Sequence, residues 1–484
     1  MNARLKKTTS FLILFIVGGT LLFLSGAFAT QEKKEQAKVI KDKRPNVVII
    51  MADDLDSRQL SCYGGQNLET TNIDALAREG MLFKNMICSE AMCVPTRASL
   101  FTGLYPVHHG SYQNHKPVYD SIAIKSVPHY LGNLGYRVAL TGKDHSTKPR
   151  EVFPFEIIEG FQPMCTARKD VYSLDGITDF VKTSQDPFCL FVMSINPHAP
   201  WTVGDPSEFD ADKLILPPSY VDTPTTRKDY TKYLAEVRRL DDQVGDVVKM
   251  LKEQGKYDET IIIFLGEQGP QMPGGKWSLW DMGQKSSMVV KWDKTVTPHS
   301  TTDAIVQYED IVPTLIDVAG GKPISGLDGK SFLPVLKGDA ETAREYAYGI
   351  HNNIPEGTAY PIRSVRDGRY KLVANLTPDE PYYLKWFMNP KNNSGIWFSW
   401  LEEGKKSSEA QALVDRITTR PAEEFYDLIN DPYELHNLID DSRHKDKIAI
   451  FENALKDWMN TQGDKGAALD KPIHKKKPKQ NSRK

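Results

Sequence analysis

The stretch Asn46-Val-Val-Ile-Ile-Met-Ala-Asp-Asp54 decides how this chain folds. Its apolar, largely β-branched centre shows no polar alternation, which suits a strand covered on both faces, as in a parallel sheet. It then ends in two adjacent carboxylates. In open α/β sheets ligands bind beyond the carboxyl ends of the strands, so Asp53 and Asp54 mark where a site is expected. Three more apolar runs repeat the arrangement. Residues 136–140 lead into Lys143 and His145, residues 189–195 into Asn196, Pro197 and His198, and residues 260–265 into Glu267 and Gln268. Any one such pair reads as loop residues in solvent; four together point to one crevice.

Between these strands lie helical patterns. Residues 72–78 form a short one closed by Gly80. Residues 230–254 carry Tyr233, Leu234, Val237, Leu240, Val244, Val247, Val248 and Leu251 at helical spacing, with Gly255 placed to end the helix. Strands alternating with helices predict an α/β fold with a mostly parallel central sheet. Near residue 340 the pattern shortens and Pro, Gly and Asn punctuate it. Tyr360-Pro-Ile-Arg-Ser-Val-Arg366 and Arg369-Tyr-Lys-Leu-Val-Ala374 read as strands of a smaller α+β unit with an antiparallel sheet, and 448–459 as a terminal helix. The expected organisation is a catalytic domain at 45–340, a C-terminal subdomain at 341–470 and a basic, disordered tail at 471–484.

The start of the chain is different. Lys6 and Lys7 precede an apolar run at 11–24, and Ala27-Phe28-Ala29 supplies the small residues of a cleavage site. The run approaches the ~18–20 residues of a membrane span, but the basic, apolar, small order favours a cleaved signal peptide at 1–29, followed by a Lys- and Glu-rich linker at 30–44. The expected location is the periplasm or the exterior, with no stable membrane anchor after cleavage. The 484 residues are 40% hydrophobic and 26% charged, with a formal net charge of -2, so the overall balance argues for neither nucleic acid nor an anionic membrane surface. The cysteine count of five is odd and matches no zinc site or small disulfide scaffold. Export permits up to two bridges, in a pairing the sequence does not specify.

Two groups of residues carry chemistry. Asp53, Asp54, Glu267 and Gln268 are an all-oxygen set, which suits a hard cation such as Ca²⁺ or Mg²⁺. The plainer alternative for Asp53 and Asp54 is a turn with a helix cap. The second group is Cys93-Val-Pro-Thr-Arg-Ala-Ser-Leu-Phe-Thr-Gly103. Pro95 suits a first helical turn and Gly103 a helix end, which would set Cys93 at a helix N-terminus, where N–H groups favour anions.

The Cys-x-Pro-x-Arg core followed by Thr-Gly resembles the signature of type I sulfatases. Its companions stand in that family's order: Asp53-Asp54, Gly142-Lys143-Asp144-His145, Pro197-His198-Ala199-Pro200-Trp201, Gly275-Lys276-Trp277, residues 308–315, Gly326-Leu-Asp-Gly-Lys-Ser-Phe332, and Phe425-Tyr-Asp-Leu428 with Asp431-Pro432. Tyr360-Pro-Ile-Arg-Ser-Val365 and Tyr370-Lys-Leu-Val-Ala-Asn-Leu376 resemble the N-sulfoglucosamine sulfohydrolases, or heparan N-sulfatases, and related bacterial enzymes.

The resemblance implies an alkaline-phosphatase-like fold and hydrolysis of a sulfate ester or sulfamate on a sulfated glycan. It implies that a formylglycine-generating maturation enzyme oxidises Cys93 to formylglycine, and that Asp53, Asp54, Glu267, Gln268 and the modified Cys93 hold a divalent cation, Ca²⁺ first and Mg²⁺ second. One hydroxyl of the hydrated aldehyde attacks sulfur and the sugar oxygen or nitrogen departs. Deprotonation of the other hydroxyl then breaks the bond to sulfate and restores the aldehyde. Arg97 would hold the formylglycine oxygen, Lys143 and Lys276 the sulfate, His198 and Lys276 the proton for the leaving atom, and His145 the proton whose removal releases sulfate. His351 and Arg363, beside the segment resembling the pocket rim, are expected sugar contacts. Trp201 would stack on a sugar or fill its loop.

Two departures from the family pattern stand out. Glu267-Gln268 replaces the usual Asp followed by Asn or His, and Gln284-Lys285-Ser286-Ser287 replaces Arg-Val-Pro after Asp281-Met-Gly283. The alternatives are an O-sulfatase on another sulfated polysaccharide, a phosphate or phosphonate monoester hydrolase of the same superfamily, or a non-catalytic sulfated-glycan-binding protein.

Overall fold

In the computed structural model, which describes residues 44–471 except 115, 120–122 and 392–394, Asn46–Met51 forms strand β1, buried throughout. The expected signal peptide, the expected linker apart from its last residue, and the expected tail beyond Lys471 lie outside the described residues. After β1 come α1 (Thr71–Glu79), β2 (Met81–Ile87), α2 (Cys93–Thr102), β3 (Arg137–Gly142), β4 (Glu156–Ile157), β5 (Phe188–Met193), α3 (Pro224–Glu253), β6 (Thr260–Leu265), β7 (Lys285–Lys291) and β8 (Ser300–Gln307). The eight strands form one sheet in the order β4-β3-β5-β1-β6-β7-β2-β8. β7 runs antiparallel to both neighbours, and the other strands share one direction.

The central position of β1 follows from its apolar character on both faces. Val48 and Ile50 pack with Tyr233, Leu234, Val237, Leu240, Val244, Val247 and Leu251 of α3. Val47, Ile49 and Met51 pack on the other side with Ala98, Leu100 and Phe101 of α2. Successive side chains of a strand point to opposite faces, so one apolar run serves two cores. The predicted helix at 230–254 starts earlier, at Pro224. There Thr223 caps it by accepting from the Thr226 N–H and proline fits the first turn.

Four of the eight strands stand outside the sequence expectation. β7 explains why: Ser286 and Ser287 are fully buried in it, and the Ser286 hydroxyl is satisfied by Tyr308 Oη at 2.9 Å. Buried serines disguise a core strand as a loop.

The C-terminal part supplies β9 (Ala347–His351), β10 (Ile362–Arg366), β11 (Tyr370–Asn375), α4 (Gly395–Gly404), α5 (Ser408–Thr418), β12 (Glu423–Asp427) and α6 (Lys445–Gln462). The sheet is antiparallel, in the order β12-β11-β10-β9. Ile350, Val365, Leu372 and Phe425 face Ile448, Phe451, Leu455 and Trp458 of α6. The opposite face, with Ile362, Val373 and Tyr426, shares a core with α3, α4, α5 and Trp280. Asp281 ties the two sheets electrostatically, at 2.7 Å from Arg366 Nη1 and 2.8 Å from Lys371 Nζ.

The five cysteines are free thiols. No helix among the described residues is long and apolar enough to cross a membrane.

Candidate active site

The four strand ends converge. Beyond β1, the Ala52 N–H donates to Leu265 O and the Asp53 N–H to Asn196 O, each at 2.9 Å. These bonds pin the loop between the ends of β6 and β5. Asp54 then takes a left-handed backbone, φ 62°, a region that Asp tolerates better than most residues. Strand alternation breaks there, and carboxylate oxygens of Asp53 and Asp54, Cys93 Sγ and a His198 ring nitrogen come within 4.8 Å of one another.

Cys93 opens α2, which Gly103 closes in the left-handed conformation at φ 73°. Thr96 Oγ1 donates to Glu90 O at 2.6 Å, and the Trp277 N–H donates to Ala91 O at 3.0 Å. The nucleophile loop is thereby laced to the loop bearing Lys276. Arg97 follows Cys93 by one helical turn and faces the same way. β3 ends at Gly142, φ 88°, where a Cβ would stand 2.0 Å from Met193 O. Only glycine fits, and the turn it makes aims Lys143 inward.

The inward side chains form a charge-balanced cluster. Lys143 Nζ binds Asp53 Oδ2. Lys276 Nζ lies 2.7 Å from Asp54 Oδ1 and 2.9 Å from Cys93 Sγ. Arg97 Nε donates to Glu267 Oε1 at 2.5 Å and its Nη2 is 3.9 Å from Asp53. Three carboxylates thus face three cations, and all six side chains are buried. Burial pushes the Asp53 carboxyl up, but Lys143 and His198 pull it further down, so it ends well below the ordinary carboxylate range. For Lys143 and Lys276 burial favours the neutral amine, yet Asp53 and Asp54 respectively outweigh it and hold both charged. Burial, reinforced by Lys143 and Arg97, drives His145 down to about 2. His198 is also lowered by burial, against the opposing pull of Asp54. Burial and then Glu267 push the Cys93 thiol well up, so Cys93 is a thiol rather than the reactive thiolate.

Cys93, His145, His198 and Lys276 open on a cleft of about 580 Å³. A family model described as Sulfatase matches residues 45–321, and one described as N-sulphoglucosamine sulphohydrolase, C-terminal, matches residues 275–391.

The chain belongs to the sulfatase family.

As a sulfatase it is a sulfuric ester hydrolase with an alkaline-phosphatase-like fold. It is 32% identical to an ulvan-active sulfatase of Formosa agariphila, over 95% of this chain and 90% of that one. It is 26% identical to the human N-sulphoglucosamine sulphohydrolase, over 86% and 89%. Its fold is also that of a phosphonate monoester hydrolase of Agrobacterium radiobacter (TM-score 0.65, 19% identity, 87% and 96% covered).

Two expected sugar contacts of this sulfatase lie elsewhere. His351 and Arg363 are fully buried. His351 Nδ1 is 2.8 Å from Glu90 Oε1, and Arg363 grips Asp464 through Nε and through Nη2 at 2.9 Å. Neither lines the cleft. They act inside the protein, where the Ile350 N–H also donates to Ser89 O at 2.7 Å and docks β9 on the nucleophile loop. Trp201 does line the cleft, while its Nε1 donates to Pro197 O at 3.0 Å and its ring packs on Tyr233. Cys165, Lys232, Glu356 and Trp386 also line it. None of these four carries a local sequence signal, because each is an isolated residue brought there by tertiary folding. His145 Nε2 faces one of them, Cys165 Sγ, at 3.4 Å.

Proposed function

We propose that this sulfatase is exported and removes a sulfate, as ester or sulfamate, from a sulfated glycan through a formylglycine made from Cys93, with a divalent cation, calcium before magnesium. The observation that carries the reading is the meeting of Cys93 with Asp53, Asp54 and His198 within 4.8 Å, backed by three buried cations suited to an anionic substrate.

The residues fit a hard cation. Gln268 Nε2 stands among three acceptors: Asp54 Oδ1 at 2.5 Å, Glu267 Oε2 at 2.9 Å and Cys93 Sγ at 3.5 Å. Such a gathering of acceptors calls for positive charge at its centre. Gln268 Oε1 is buried without a hydrogen-bond partner among the described residues. Which amide atom points where is an assignment from the network, and the opposite orientation makes the set all-oxygen, as calcium prefers. The longer Glu267 and Gln268 side chains therefore still serve as ligands with Asp53 and Asp54. A bound cation supplies Lewis-acid polarisation of the sulfate oxygens. Formylglycine supplies two hydroxyls on one carbon, one to take the sulfuryl group and one whose deprotonation expels it.

The other side chains have separate tasks. Lys143 and Lys276 hold the sulfate as compact charges. Arg97, fixed by Glu267, keeps Nη1 and Nη2 without a hydrogen-bond partner among the described residues, available to hold the formylglycine oxygen. His198 Nδ1 is bound to Ala199 O, which leaves Nε2 to exchange a proton with the leaving oxygen or nitrogen. His145 is the base for the release step. N-sulfoglucosamine is the first substrate to try, supported by the match to the N-sulphoglucosamine sulphohydrolase C-terminal model.

The test is sulfate release from N-sulfoglucosamine, ulvan oligosaccharides and 4-nitrophenyl sulfate, with 4-nitrophenyl phosphate in parallel. The protein is co-produced with a formylglycine-generating enzyme and Cys93→Ala serves as the blank. Release from a sulfated sugar is expected. Faster phosphate turnover would favour a phosphomonoesterase, and sugar binding without turnover a glycan-binding protein.

A further inference from the structure

Glu356 follows β9 in a loop fixed by its own backbone: its N–H donates to Asn353 O at 2.8 Å and its carbonyl accepts from the Lys385 N–H at 2.9 Å. The side chain is fully buried. One carboxylate oxygen, Oε2, is held by the Trp386 indole N–H and lies 3.2 Å from Lys385 Nζ. The other, Oε1, has no hydrogen-bond partner among the described residues. A buried acceptor without a donor is costly and rare in native proteins. Glu356 lines the same cleft as Cys93, His198 and Lys276. Beside it, Trp386 is 37% exposed and borders the cleft as well. A held carboxylate with one idle oxygen next to a partly exposed indole presents an acceptor and an apolar face side by side. A sugar ring matches that pair, with its hydroxyls at the edge and its C–H groups on the face.

We infer that Glu356 is a specificity-determining substrate contact: its Oε1 accepts a hydrogen bond from an uncharged sugar hydroxyl, and its charge bars a sulfate or carboxylate from that position. This rests on the sulfated-glycan reading above. The indole and the Lys385 ammonium fix the carboxylate plane, so the idle oxygen is presented in one direction. Trp386 covers the ring face and adds affinity without discriminating among hydroxyl patterns.

The experiment compares wild type with Glu356→Gln, which keeps an acceptor for the Trp386 indole, and with Glu356→Ala. Thermal unfolding confirms that each variant is folded. The readout is the ratio of kcat/KM on the best sulfated sugar to kcat/KM on 4-nitrophenyl sulfate. Hydrogen bonds to charged groups set the scale of the loss, and the ratio is expected to fall about tenfold in Glu356→Gln and about 100-fold in Glu356→Ala, mainly through KM. A ratio within about twofold of wild type in both folded variants overturns the inference and leaves the sulfated-glycan reading standing. A wild-type protein that hydrolyses 4-nitrophenyl sulfate but no sulfated sugar overturns both.

Discussion

Lys276 Nζ lies 2.9 Å from Cys93 Sγ, so the position of the nucleophile's side chain is already occupied by a charge partner. An ammonium so placed stabilises negative charge that develops at residue 93 or on the leaving atom. Removing one such preorganised donor costs about 10²–10³ in kcat. Lys276→Ala is expected to lose that much in steady-state assays, while the fraction of converted Cys93, read by mass spectrometry, stays as in wild type.

Conversion itself is directly measurable. In protein made with a formylglycine-generating enzyme, the peptide containing residue 93 is expected to weigh about 18 Da less than the thiol form, through replacement of SH₂ by O. Cys93→Ser, which can accept but not expel a sulfuryl group by this route, should show no sustained turnover. An unshifted peptide from fully active protein would rule the formylglycine mechanism out.

Cation binding should register as stability as well as activity. A ligand that binds only the folded state adds about 2.7 kcal/mol at 100 times its Kd. Chelator is expected to abolish activity and lower the unfolding midpoint, and Ca²⁺ to restore both. In Asp54→Ala the calcium-dependent rise in midpoint should vanish, even where the apo midpoint is unchanged.

Gly142 offers a stability test. A Cβ there would meet Met193 O at 2.0 Å, and alanine disfavours the positive φ. Gly142→Ala should destabilise the protein by about 3 kcal/mol in urea unfolding. It should also reduce kcat, since Lys143 moves with the turn.

Glu236 gives a pH dependence with a defined sign. On α3, its Oε1 accepts from the Thr202 and Val203 N–H groups at 2.7 and 3.2 Å, which anchors the loop that follows His198. Burial pushes its carboxyl up to about 8, against the opposing pull of those N–H groups. The unfolded chain releases that proton near pH 4.3, so between about 4.3 and 8 the folded state binds more protons. Glu236 therefore costs stability progressively as pH rises through that window. Glu236→Gln should be increasingly stabilising relative to wild type from pH 5.5 to 8.5 in urea titrations.

Much of this was legible without coordinates, for a physical reason. Strands buried on both faces need unbroken apolar runs, and β1 and β6 lie where such runs lie. The residues beyond the ends of β1, β3, β5 and β6, namely Asp53, Asp54, Lys143, His198, Glu267 and Gln268, were legible because chain order and strand direction fix where they emerge. His351 and Arg363 were expected at the rim because they lie beside the segment resembling a pocket rim, and that resemblance does not show which way a side chain points. Their partners are 261 and 101 residues away in sequence, beyond any local pattern. Glu356 and Trp386 meet only through tertiary contact, so the outer cleft was invisible.

The burial of Cys93, only 4% exposed, turns chain length into time. Any enzyme that oxidises this thiol must reach it before the walls around it close. One wall is Lys276, 183 residues further along. At roughly 5–20 residues per second of synthesis, that separation gives roughly 10–40 s in which Cys93 exists while its cover does not. Faster synthesis of residues 94–276 would shorten that interval, and the protein would emerge from the cell with more thiol and less activity than its fold alone would suggest.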